Sequence, residues 1–197
     1  MIYDGSKKMR SNIDMITEYG RIVGAGAYSN ELDEMRMPSN VNDWLLENGF
    51  FSAPASTKYH GAFDGGLYVH SAEVTKILVY LTDSCTLKWE KKRSPFVVGM
   101  LHDICKIDQY RKLDEPNENG CIYAWNDTKI KGHGEKSVFM IKKLMELTEE
   151  EEACIRYHMG AFTDKKEWSA YTDAIHRFPN VLWTHHADMI ATHIHFK

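Results

Sequence analysis

Apolar residues recur at spacings of three and four along most of this chain, which is the mark of helices that bury one face. The clearest stretch is 67–82, where Leu67, His70, Val74, Ile77, Leu78 and Leu81 form one stripe. Residues 9–23 carry a looser stripe of Met9, Ile13, Ile16 and Val23, and residues 40–48 place Val41, Trp44 and Leu45 behind Asn40, a candidate cap. Ser94 followed by Pro95 marks another helix start, and Phe96, Val97, Met100, Leu101 and Ile104 carry that helix to about Ile107. Further helices are expected at about 134–147, 149–158, 167–177 and 180–193. Glu149 to Glu152 read as the acidic first turn of one of them, favoured by the helix dipole. The pattern breaks at 109–130. There Tyr110 and Leu113 precede Asn119-Gly120, and Cys121, Ile122, Tyr123 and Trp125 follow, which predicts a β-hairpin. The expected fold is all-α, a helical bundle with a small β-hairpin insertion near residues 109–130.

Length and composition narrow the function. The chain has 197 residues, 43% of them hydrophobic and 26% charged, which suits one globular domain over 1–197 with residues 1–49 as a helical extension packed on it. No apolar run approaches the length of a membrane span. The opening residues MIYDGSKKMR lack the apolar core of a secretory signal. The four cysteines are scattered without a CxxC pair and read as reduced thiols. Together these features point to a cytoplasmic protein with no membrane partner. The net charge of −4 argues against a long nucleic acid as partner. A small phosphorylated substrate or a short oligonucleotide remains compatible with it.

The chain also holds ten histidines, and histidine is the commonest metal ligand. His102-Asp103 lies near the end of the helix that Ser94 opens, with Lys106 one turn on. His70 sits on the apolar stripe of 67–82, where an inward imidazole needs a partner. His133 opens a helix in GHGEKS, and His158 ends one in RYHMG. Asp188 lies among Ala187, Met189, Ile190 and Ala191, where a carboxylate is costly unless it meets a cation. A divalent metal accounts for all of these groups together, since it takes neutral imidazole and ionised carboxylate at once.

The order of these residues resembles that of the HD superfamily of metal-dependent phosphohydrolases, in a helix histidine (His70), an HD doublet (His102-Asp103) and a late aspartate (Asp188). HDICK at 102–106 is similar to the family's HD-x-x-K segment, and His133 and His158 match the middle histidines of its two-metal members. A closer resemblance, over about 50–192, is to the catalytic module of bacterial HD-domain 3′–5′ exoribonucleases, and FFSAPASTKYHGAFDGGLYVHS at 50–71 carries it. Those enzymes bear an N-terminal nucleic-acid-binding barrel, and residues 1–49 are too short for one.

The resemblance implies one or two divalent ions (Mn, Fe, Ni, Co or Zn). The first would be held by His70, His102, Asp103 and Asp188, and the second by His133, His158 and a bridging Asp103. It further implies that Lys106 holds a phosphate oxygen and that His60 lines the pocket. His185, one turn before Asp188, is a third candidate for substrate contact. The expected activity is hydrolysis of a nucleotide or short nucleic-acid phosphoester by a metal-bound hydroxide. The alternative is a di-iron oxygenase of the same superfamily acting on a small anionic substrate. A non-catalytic nucleotide-binding module is a third reading.

Overall fold

The computed structural model describes residues 37–128, 130 and 132–195. The helix expected at 9–23, and most of the expected N-terminal extension, lie outside the described residues. Among the described residues there are seven α-helices: α1 (Ser39–Glu47), α2 (Gly66–Ser84), α3 (Ser94–Leu101), α4 (His133–Ile141), α5 (Glu149–Arg156), α6 (Trp168–Arg177) and α7 (Asn180–Ile190). Two short strands, β1 (Tyr110–Lys112) and β2 (Tyr123–Trp125), interrupt them. The architecture is the expected helical bundle with one hairpin.

The apolar stripe of α2 places Leu67, Val74, Ile77 and Leu78 in the core, where they meet Val97, Met100 and Leu101 of α3 and Val181 and Ala187 of α7. Accordingly α2 packs along both α3 and α7, while α5 joins α4 to α7. Two glycines set how closely these helices cross. A Cβ on Gly99 of α3 would lie 2.6 Å from the Cα of Thr75 on α2. A Cβ on Gly134 of α4 would lie 2.0 Å from the carbonyl oxygen of Arg156 at the end of α5. Neither crossing has room for a side chain. The first brings His70 towards His102, and the second brings His133 towards His158.

Several helix boundaries differ from the expected ones. Asn40 is not a cap, because Pro38 holds that position and the Asn40 amide donates to the Leu144 carbonyl at 2.6 Å. Ser94 is the first residue of its helix, not its cap. Its buried hydroxyl instead donates to Glu151 Oε1 at 3.0 Å. The helix expected to reach Ile107 stops at Leu101. Asp103 leaves helical geometry (φ −110°, ψ 17°), and Ile104–Ile107 form a 3₁₀ turn. In a continuous helix, neighbours such as His102 and Asp103 would diverge by about 100°; the break lets both face one centre. Likewise α4 and α5 end at Ile141 and Arg156, and α7 passes after Ile190 into a wider π-type turn, Ala191–His195.

The hairpin pairs Tyr110 with Trp125, Arg111 with Ala124 and Lys112 with Tyr123. Asn117 and Cys121 close its loop through a backbone bond of 3.0 Å, with Gly120 N–H donating to the Asn117 carbonyl at 2.8 Å. The hairpin is tied to the segment before α2 by Asp64, which accepts from the Tyr123 hydroxyl at 2.6 Å and the Lys112 ammonium at 2.5 Å. No described helix is long and apolar enough to cross a membrane.

Candidate metal centre

Six of the sequence-predicted groups converge where α2, α3, α4, α5 and α7 meet. His70 is fully buried on α2, and its Nε2 lies 3.2 Å from His102 Nε2, 3.2 Å from Asp188 Oδ1 and 3.6 Å from Asp103 Oδ2. His158 Nε2 approaches Asp103 Oδ1 at 3.4 Å, and His133 Nδ1 approaches the same oxygen at 4.0 Å. Asp103 therefore lies at the middle of the cluster, with one oxygen towards His70 and His102 and the other towards His133 and His158.

The orientation of two rings is decisive. His102 Nδ1–H donates to the Gly99 carbonyl at 2.9 Å, and His158 Nδ1–H donates to the Ile155 carbonyl at 2.7 Å. A carbonyl only accepts, so each bond fixes the proton of a neutral ring on Nδ1 and leaves a lone pair on Nε2. Both lone pairs face Asp103, whose Oδ2 lies 3.5 Å from His102 Nε2. Among the described residues, Asp103 Oδ1 and His158 Nε2 are buried and find no hydrogen-bond partner. Buried polar atoms without partners are costly. A divalent cation among these donors turns mutual repulsion into coordination. Three sets of donor atoms lie within 4.8 Å of one another: His70, His102 and Asp103; His102, His158 and Asp188; Asp103, Cys105 and His133. The donor set fits a divalent metal.

The protonation equilibria follow from burial and neighbouring charge. Burial alone would raise the Asp103 pKa, but Lys106 and His102 hold it well below the ordinary carboxylate value. Burial likewise opposes ionisation of Asp188, and His70 more than offsets that, so this carboxyl is also held low. Burial lowers the His70 pKa. It works the same way on His158, but the carboxylates of Asp103 and Asp188 outweigh it and raise that pKa. Lys106 is buried too, and its Nζ lies 2.6 Å from Asp103 Oδ2. That carboxylate holds the Lys106 pKa above its ordinary value despite desolvation.

The remaining expected residues lie at different depths. The His60 ring centroid is 4.9 Å from that of His70, and burial pushes the His60 pKa down to about 4. His185 reaches the backbone instead, with Nδ1–H donating to the His158 carbonyl at 2.8 Å. Sequence reasoning passed over Cys105 and Gln109. Both are buried beside His133, with Cys105 Sγ 3.5 Å from His133 Nδ1 and Gln109 Nε2 3.5 Å from His133 Nε2. Burial raises the Cys105 thiol pKa to about 12. The available signal was spacing, since Cys105 follows Asp103 by two residues and precedes Gln109 by four.

The model of one protein family, described as the HD domain, matches residues 67–188. The matched span includes every one of the six converging residues and Lys106, and it ends on Asp188. No curated protein and no solved structure matches the chain.

Proposed function

The chain belongs to the HD domain family of metal-dependent phosphohydrolases, and from that premise we propose that it hydrolyses a nucleotide or a short nucleic-acid phosphoester. The observation that carries this reading is that His102 and His158, each with its Nδ1 proton held by a backbone carbonyl, both aim Nε2 at the buried carboxylate of Asp103.

His70, His102, Asp103 and Asp188 would hold one divalent ion, and His133 and His158 a second, with Asp103 shared. Mixed nitrogen and oxygen donors suit Mn, Fe, Co, Ni or Zn. When bound, such ions activate water at neutral pH and neutralise charge on phosphoryl oxygens.

The chain's own residues do the rest. The backbone carbonyls of Gly99 and Ile155 hold two rings in the ligating tautomer, a constraint that outer partners typically supply. His185 fixes the His158 backbone from behind. Lys106 stays charged beside Asp103 and offers its ammonium to a phosphate oxygen as a point charge. His60, kept neutral by burial, offers an uncharged imidazole next to His70 for a hydrogen bond to substrate.

The test is phosphate or nucleotide release from phosphoesters with Mn²⁺ present, comparing the wild type with Asp103→Ala. Release that the substitution abolishes is the expected result. Equal rates in the two proteins, or iron-dependent oxygen uptake in place of phosphoester cleavage, would overturn the reading.

A further inference from the structure

Trp125 is a large aromatic side chain left 62% exposed at the end of β2, and its place is not that of an ordinary surface residue. Its ring centroid lies 6.5 Å from that of His133, at the edge of the cluster. Its cross-strand partner Tyr110 packs edge-on against it, with centroids 5.2 Å apart and planes at 66°. Tyr110 is in turn bonded to buried Gln109, whose Nε2 donates to the Tyr110 hydroxyl at 3.3 Å. Asp64 pins the far pair of the same ladder, Lys112 and Tyr123, to the segment that carries His60. The indole is thus braced from behind and anchored through its strand, while most of its own surface faces solvent.

Resting on the phosphoester reading, we propose that Trp125, supported by Tyr110, is a stacking subsite for the nucleobase of a substrate whose phosphate sits at the His/Asp cluster. A flat, rigid aromatic surface next to a phosphate site matches the two ends of a nucleotide: charge on one, a π-face on the other. Stacking on an aromatic side chain tolerates every base, so this subsite selects for the presence of a base, not its identity. A membrane or protein surface is a poorer occupant, because Trp125 stands beside His133 at the edge of the polar His/Asp cluster.

The experiment measures equilibrium binding of the non-hydrolysable phosphonate analogues of adenosine 5′-monophosphate and ribose 5-phosphate to the metal-loaded protein by calorimetry. The two ligands share phosphonate and sugar and differ by the base. Wild type binds the nucleotide analogue about tenfold more tightly. Trp125→Ala removes that preference and leaves binding of the ribose analogue where it was; Trp125→Phe keeps most of the preference. Equal binding of the two ligands by wild type, no nucleotide binding at all, or equal loss of both ligands in Trp125→Ala overturns the proposal. Because the readout is binding, it is independent of turnover: absence of phosphoester cleavage alongside a base preference would defeat the hydrolase reading and leave the subsite standing.

Discussion

The bundle buries two polar clusters, and they are built on opposite principles. Around Glu151, every acceptor has a donor. The fully buried Glu151 carboxylate accepts from the Ser94 hydroxyl at 3.0 Å and the Thr148 backbone N–H at 2.9 Å, while Glu151 N–H donates to the Thr148 hydroxyl at 3.1 Å. This is a capping box at the start of α5. Its neighbour Glu150 accepts from the Glu90 N–H and the Asn180 amide. Around Asp103, in contrast, the Nδ1 protons of His102 and His158 point away to backbone carbonyls, Nε2 of each ring faces the carboxylate, and although Lys106 pairs with Asp103 Oδ2 at 2.6 Å, Oδ1 finds no hydrogen bond among the described residues. Paired carboxylates mark a cluster that holds the fold, even though Arg93 Nε stands 3.6 Å from Glu151 without a hydrogen bond. Directed dissatisfaction marks one that awaits a ligand, a cost in stability that functional sites commonly carry.

The difference can be tested by removing one member from each side. His102→Ala is expected to lose turnover by about a thousandfold or more, equivalent to ~4 kcal/mol in the barrier. Its bound metal falls with it, measured by element analysis of the purified protein. Retained metal and activity would place the chemistry elsewhere. Glu151→Ala has the opposite profile, a loss of about 3 kcal/mol in chemical denaturation, because it leaves Ser94 and Arg93 with an unmet buried partner. A change too small to measure there would show that the two clusters do not differ as described.

Metal addition sharpens the contrast from the other side. A divalent ion at a hundred times its dissociation constant stabilises the native state by ~2.7 kcal/mol, seen as a rise of several degrees in the melting temperature. Asp188→Asn should abolish that rise, and Glu151→Ala should keep it while melting lower throughout. The smallest effect belongs to the hairpin anchor. Hydrogen bonds from Lys112 and then Tyr123 hold the Asp64 pKa below its ordinary value. A carboxyl depressed on folding contributes stability above its unfolded pKa of about 3.9, and loses it as pH falls through the folded value. The gap in melting temperature between wild type and Asp64→Asn should therefore be slight at pH 5 to 7, since this carboxylate is well exposed. It should close further below about pH 4; a gap that does not depend on pH would remove the carboxylate from the anchor.

Much of the fold was legible because burial imposes period. The stripe of 67–82 foretold α2 to within two residues at its end, and Asn119-Gly120 foretold the turn of the hairpin. Single-residue assignments at helix ends were less secure. Ser94 and Asn40 have the chemistry of caps, yet each spends its polar group on a distant partner, Glu151 or Leu144. The true capping box at Thr148-x-x-Glu151 has a sequence signature that the run of acidic residues around it masks. Cys105 and Gln109 had only their spacing from Asp103 to mark them, because their place beside His133 depends on α4 coming down across the 3₁₀ turn that follows Asp103.

By itself the sequence determined which residue types could ligate a cation and on which helices they ride, because side-chain chemistry and helical period are local properties. Whether His102 and Asp103 could face the same point was decided only by tertiary structure. It required α3 to break at Leu101 and Gly99 to let α2 come close. The tautomers of His102 and His158 are set locally, by carbonyls three residues back at helix ends, but what their Nε2 atoms point at is a tertiary outcome. Coordination depends on distances and directions among groups up to 118 residues apart, such as His70 and Asp188. Only the folded chain specifies those.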